Sequence, residues 1–245
     1  MTQSIFNWHQ FKNAEQVAEI IYQQIELLSG QAIEKNGQFK LVLAGGTTPG
    51  VIYKKLSKLK TDWRKWQIFF GDERCLETDN SERNSKMVAL NWLDCVPIPV
   101  QNIHIIQAHL GAKKAAILYQ QTIESVLPFD LVLNGMGEDG HTASLFPQQQ
   151  HDQQQSVHAI YHSPKPPSDR VSLSTNTLST THRSFIIITG MSKYQAVNDW
   201  HNGKQLPVNQ LTSLRNKAGG VDVYIDQGAY TGTRLTETSV TRRCV

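Results

Sequence analysis

The stretch from Asp130 to Pro147, DLVLNGMGEDGHTASLFP, decides how this chain is read. Leu131, Val132 and Leu133 are an unbroken apolar run of the kind that makes a buried strand, and the run stops in a turn dense in glycine. The turn delivers Glu138, Asp139 and His141 almost side by side, and a strand that ends by presenting an imidazole beside carboxylates marks a candidate site. The same letters, GMGEDG, also match G-x-G-x-x-G, so a dinucleotide site has to be weighed first. That fingerprint needs a long helix directly after its third glycine and an acid about 20 residues on, at the end of the next strand. Here His141 follows Gly140 at once, Pro147 cuts the segment short, and the corresponding region, Ile160 to Pro164, holds no acid. Nicotinamide chemistry is set aside on those grounds.

The chain on either side alternates strands and helices. Phe39–Ala44, Trp66–Phe70, Ile103–Ile106, Ser184–Thr189 and Val221–Ile225 read as strands, and Arg170–Ser174 alternates as a strand does. Helical spacing of apolar residues runs from Asn13 to Ser29, Val51 to Leu59, Met87 to Trp92, Ala112 to Val126 and Tyr194 to Trp200. Continuous apolar strands interleaved with helices predict an α/β fold: three-layer, Rossmann-like, a mostly parallel sheet with helices on both faces. The 245 residues read as one domain, 1–245, with a polar loop at about 148–169 and a loose tail at about 231–245.

In such sheets ligands bind beyond the carboxyl ends of the strands. Four strand ends carry chemistry here: the Gly45-Gly46 turn, Asp72-Glu73-Arg74, Asp139 with His141, and Gly190 with Lys193. Gly45-Gly46-Thr47-Thr48-Pro49-Gly50 leads into a helix, with Thr47 or Thr48 suited to the N-cap and Pro49 to the first turn. Open N–H groups and the helix dipole there favour an anion, although an ordinary strand–helix turn would look the same. The loop lacks the G-K-[ST] ending of a P-loop. Asp72, Glu73 and Arg74 read as either solvated loop or site lining. Lys193 stands in the first turn of a helix, where the dipole disfavours a cation, and a ligand anion explains it better than helix stability does.

Composition narrows the classes of partner. A net charge of +3 from scattered lysines and arginines argues against nucleic acid, and no apolar run reaches the roughly 20 residues of a membrane helix. The first residues lack the basic and apolar regions of a secretory signal, so a cytoplasmic protein is expected. Cys75, Cys95 and Cys244 have unrelated spacings that suit neither a disulfide framework nor a paired zinc site. His151 and Asp152, in a glutamine-rich stretch, fit no zinc helix motif.

Gly135-Met136-Gly137-Glu138-Asp139-Gly140-His141-Thr142-Ala143-Ser144-Leu145-Phe146-Pro147 resembles the signature of 6-phosphogluconolactonases, which are related to glucosamine-6-phosphate isomerase/deaminases. The likeness extends in order through AGGTTP at Ala44–Pro49, GDER at Gly71–Arg74, RNSKM at Arg83–Met87, the strand Arg170–Leu173, and Gly190 to Lys193. It covers nearly the whole chain. Asn134, where an apolar residue is expected, and Glu138, where proline is common, are the departures.

The resemblance implies a hydrolase of the oxidative pentose phosphate pathway that converts 6-phospho-D-glucono-1,5-lactone to 6-phospho-D-gluconate by attack of water. A histidine, with an ordinary pKa of roughly 6.5, is largely neutral at pH 7, and His141 is the expected general base. Asp139 would orient it or bind a sugar hydroxyl, Arg74 would steady the oxyanion, and Asp72 belongs to the site without a defined role. Gly45, Gly46, Thr47, Arg170 and Lys193 are expected to hold the phosphate. No cofactor and no metal are implied, and the only partner is a small phosphorylated sugar lactone, met by a monomer or weak homo-oligomer. Two alternatives stay open. Glucosamine-6-phosphate deaminase/isomerases carry a further catalytic glutamate shortly after D-G-H, where Thr142–Pro147 offers none. A non-catalytic sugar-phosphate sensor of the transcription-regulator type would have a helix-turn-helix segment before Phe39, where only one helix is read.

Overall fold

A seven-stranded sheet with every neighbouring pair parallel organises the computed structural model, which describes residues 6–152, 154–214 and 220–232. The strands are β1 (Phe6–Phe11), β2 (Phe39–Leu43), β3 (Trp66–Phe70), β4 (Asp72–Arg74), β5 (Ile103–His104), β6 (Phe129–Gly135), β7 (Val157–Ile160), β8 (Arg170–Leu173), β9 (Thr181–Ile188) and β10 (Val221–Asp226). The main sheet runs β1-β10-β9-β6-β2-β3-β5, and β4-β8-β7 form a separate antiparallel sheet. The helices are α1 (Ala14–Asn36), α2 (Thr47–Leu56), α3 (Asn84–Asn91), α4 (Ala112–Glu124), α5 (Thr175–Ser179), α6 (Tyr194–His201) and α7 (Gln227–Thr231), joined by short 3-10 turns. This is the mostly parallel, Rossmann-like α/β architecture that the apolar runs predict. Leu41, Val42, Leu131, Val132, Ile186 and Ile188 are fully buried, as strands covered on both faces require.

Local signals explain the helix limits. Asn13 caps α1 by accepting the Gln16 N–H at 3.0 Å, and Gly37, at φ 77°, closes it. The helix continues past Ser29 because Ala32 extends the buried stripe of Val17, Ile21, Ile25 and Ser29, while Glu34 and Lys35 fall on the exposed side. α1 lies against β1, β10, β6 and β2, with α2 beside it and α3 beside α2. At α2 the N-cap is Gly46, with no side-chain cap, instead of Thr47 or Thr48. Thr48 turns its hydroxyl to Thr189 at 2.6 Å, so it is engaged with the end of β9.

Three segments differ from the sequence reading. β1, drawn from a stretch with no clear strand pattern, exists by pairing in register with β10, from Phe6 opposite Val221 to Phe11 opposite Asp226. The region 148–169 contains β7, whose Val157 and Ile160 are buried and which packs beside α4. Asp72–Arg74 is neither loop nor part of the parallel sheet but the edge strand β4, paired with β8. The tail read from about 231 lies, beyond Gly232, outside the described residues. Among the described residues no helix is long and apolar enough to cross a membrane.

The sheet order places β9, β6, β2 and β3 next to one another. The four strand ends singled out in the sequence therefore share one edge, and the second sheet, joined to the first through Gly71, stands beside it.

Candidate active site

A cavity of about 440 Å³ opens at that edge. β2 contributes Gly45 and Gly46, β3 and β4 contribute Gly71, Asp72 and Arg74, and β6 with its turn contributes Asn134, Gly137 and His141. Arg170 of β8 and Lys193, just before α6, complete the basic side, together with Lys165. Two predicted residues stand apart. Asp139 is not part of the wall but sits behind His141, and the exposed Thr47 opens α2 and faces an adjoining cavity with Gly50 and Lys54.

The turn after β6 is built to hold the histidine. Gly137 N–H donates to the His141 carbonyl at 2.8 Å, and Gly140 N–H donates to the Gly137 carbonyl at 3.1 Å. A β-carbon at Gly137 would lie 2.0 Å from Nδ1 and Cε1 of the His141 ring, so only glycine lets the ring fold back over the turn. Nδ1 of His141 lies 2.5 Å from Oδ1 of Asp139, which also accepts the His141 backbone N–H at 3.2 Å. The ring packs on Phe146, with centroids 4.6 Å apart. Burial pushes the Asp139 carboxyl up, but the hydrogen bonds and charge of His141 outweigh it and hold Asp139 well below the usual carboxylate range. Asp139 is thus an ionised partner that takes Nδ1 and leaves Nε2 for whatever enters the cavity. No helix follows the turn, as the rejection of a dinucleotide site requires; Thr142 and Leu145 instead form an isolated bridge.

Asp72 is nearly buried and fully engaged: Oδ1 accepts from Asn84 Nδ2 at 2.9 Å and Oδ2 from the Ser144 hydroxyl at 2.6 Å. It thereby ties α3 and the segment after His141 to the floor of the cavity. Beneath it, Glu73 accepts backbone N–H groups from Arg74, Asn84 and Ser85, and pairs with buried Arg83 at 3.3 Å. Arg74 reaches the Glu82 carbonyl through Nη1, while its Nε is buried without a hydrogen-bond partner among the described residues.

Three lining residues were not assigned to the site from the sequence. Asn84 crosses above Gly45, where an added β-carbon would be 2.1 Å from its Oδ1, and only the RNSKM block hinted at it. Asn134, the departure from apolar character in β6, is buried and donates to Ser184 Oγ and the Phe185 carbonyl. Lys165 lies in the stretch read as a polar loop, in the proline-rich turn Pro164-Lys165-Pro166-Pro167 that leads into the Arg170 strand. On the basic side, burial pushes the Lys193 ammonium below the usual lysine range; Glu138 and Asp139 oppose the shift and Lys165 adds to it. Among the described residues no three His, Cys, Asp or Glu side chains converge as metal ligands would. Cys75 and Cys95 are free thiols, and burial, reinforced by nearby carboxylates, raises Cys75 to about 11.

Comparison with known proteins bears on the whole chain. Probable 6-phosphogluconolactonase 5 of Arabidopsis thaliana is 31% identical over 244 residues, covering 89% of this chain and 95% of its own. The crystal structure of 6-phosphogluconolactonase from Thermotoga maritima superposes with a TM-score of 0.82 at 25% identity, over 90% of this chain and 99% of that one. A monomeric glucosamine-6-phosphate deaminase shares the fold, with a TM-score of 0.77 at 18% identity over 93% of this chain and 100% of its own. Residues 12–218, which include every side chain placed around the cavity, match the family described as glucosamine-6-phosphate isomerases/6-phosphogluconolactonase, and the chain belongs to that family.

Proposed function

We propose that this protein is a 6-phosphogluconolactonase, hydrolysing 6-phospho-D-glucono-1,5-lactone to 6-phospho-D-gluconate in the oxidative pentose phosphate pathway. The observation that carries the reading is the His141–Asp139 pair, with Nδ1 held at 2.5 Å and the ring on the cavity wall. It is the arrangement a general base needs, since an ionised orienting carboxylate fixes the tautomer and stabilises the imidazolium that forms. Names of relatives over nearly the full chain support the same activity.

In the proposed reaction Nε2 of His141 takes a proton from water as its oxygen bonds to C1 of the lactone. Charge develops on the former carbonyl oxygen, and the guanidinium of Arg74, on the same wall, is suited to steady it. The tetrahedral intermediate then collapses with cleavage of the bond between C1 and the ring oxygen, which receives the proton from His141. A carboxylic acid and a free hydroxyl result. The phosphate would lie at the basic side, over the Gly45-Gly46 turn at the N-terminus of α2 and against Lys193 and Arg170. Asp72, already occupied by Asn84 and Ser144, is assigned to holding the site together. A cytoplasmic setting suits the free thiols of Cys75 and Cys95.

A coupled assay tests the proposal. Glucose 6-phosphate and its dehydrogenase generate the lactone, and 6-phosphogluconate dehydrogenase reports the acid. The expected result is a rate well above the spontaneous hydrolysis of the lactone. A rate equal to the enzyme-free blank, or ammonia release from glucosamine 6-phosphate in its place, would overturn it.

A further inference from the structure

Arg170, assigned above to the phosphate, is 4% exposed, and its guanidinium is largely occupied by its own loop. Nε donates to the Pro167 carbonyl at 3.1 Å, and Nη2 donates to the carbonyls of Pro166 at 2.7 Å and Lys165 at 3.1 Å. Nη1 faces the Ser144 hydroxyl at 3.5 Å, and the guanidinium carbon lies 5.6 Å from the centre of the Phe146 ring. An arginine so engaged cannot offer the two parallel N–H groups with which the residue grips a phosphate. What its bonds do is fix the backbone of residues 165–167.

That backbone carries Lys165 to the cavity wall. Ser163 pins it again, its hydroxyl donating to the Lys165 carbonyl at 2.8 Å and accepting the Lys165 N–H at 3.3 Å. Prolines at 164, 166 and 167 restrict the remaining freedom. No carboxylate among the described residues forms an ion pair with the ammonium of Lys165 or with that of Lys193 on the same wall. Two like charges held around one cavity, neither in direct contact with a carboxylate, repel each other, and a multiply charged anion between them removes that cost.

We propose that Lys165 is a second phosphate-binding residue beside Lys193, and that Arg170 acts mainly as the positioning residue that sets it there through the carbonyls of Lys165, Pro166 and Pro167. The inference rests on the lactonase reading for the identity of the ligand, but it is tested by binding, apart from turnover.

Affinities for 6-phospho-D-gluconate and for D-gluconate are measured by calorimetry on the wild type, Lys165→Met, Lys165→Arg, Arg170→Lys and the double variant Lys165→Met/Arg170→Lys, each with a thermal melt. Lys165→Met should weaken the phosphorylated ligand about tenfold or more, the scale of one charge-assisted contact, and Lys165→Arg should restore most of that. Arg170→Lys should give a similar loss that the double variant does not deepen, because both changes remove one grip. D-gluconate should move far less throughout. Unchanged 6-phosphogluconate affinity in Lys165→Met removes Lys165 from the site. A double variant whose loss is the product of the single losses, or an Arg170→Lys protein that no longer folds, removes the positioning role. If the wild type binds 6-phosphogluconate yet leaves the lactone at its blank rate, the lactonase reading fails while the same binding series still decides the place of Lys165.

Discussion

Asp139 Oδ1 and His141 Nδ1 stand 2.5 Å apart across a two-residue turn, with the carboxylate behind the ring and the ring on the cavity wall. Gly137 makes the geometry available by leaving room for the ring over its own α-carbon.

Removing either member should cost turnover more than binding. His141→Ala is expected to lower kcat by roughly 10²- to 10⁴-fold with a smaller change in KM. Asp139→Asn keeps the shape but loses the charge that steadies the imidazolium, and its kcat should fall by a comparable factor. Steady-state kinetics in the coupled assay check both. Near-normal turnover in His141→Ala would take the base role away from this residue.

Gly137→Ala tests the turn itself. The added methyl would sit 2.0 Å from the His141 ring and 2.7 Å from Asp139 Oδ1, so the pair has to separate. We expect kcat to drop by roughly a hundredfold or more, as misplacement of a reacting group does, for an overpacking cost of about 1–3 kcal/mol. A variant with full activity would mean that the ring's position over Gly137 is irrelevant to the chemistry.

The buried ion pair beneath the site is a stability element. Glu73 is 0% exposed and Arg83 is 2% exposed, so Arg83→Met leaves a carboxylate in the interior without its counter-charge. Urea unfolding should show a loss of about 3–5 kcal/mol, and the double variant Glu73→Gln/Arg83→Met should recover part of it. The same change should loosen Asn84, whose N–H is held by Glu73 at 2.8 Å. A loss below about 1 kcal/mol would contradict the pairing.

His158 should make the fold acid-sensitive. Burial, with the charge of stacked His151, pushes it down to about 4. In the unfolded chain a histidine protonates at about 6.5, so the unfolded state takes the proton first as pH falls. Stability carried by the neutral ring is present above about pH 6.5 and is lost on the way down through about 4, a difference on the order of 3 kcal/mol. His158→Phe should flatten that slope in unfolding curves taken between pH 7 and 4.5. A slope unchanged in the variant would assign the acid sensitivity elsewhere.

The order of apolar runs and glycine-rich turns by itself determined the architecture. Strands such as Leu131–Leu133 and Ile186–Ile188 are apolar without interruption because both their faces are covered, and that pattern survives in one dimension. It also picked out residues that share one cavity, since ligands of parallel sheets collect at carboxyl ends and four such ends carried Gly45, Asp72, His141 and Lys193. Only the tertiary structure decided where each of those residues stands and what it bonds to. β1 exists through pairing with a strand some 215 positions away, which no local pattern records. Thr47 fell outside the cavity because Gly46 takes the cap. Arg170 turned most of its donors to its own loop, and Lys165 joined it on the wall. Donor direction and side-chain reach depend on partners brought together by folding, so the sequence can name the residues of a site without saying which of them has a hydrogen bond left to give.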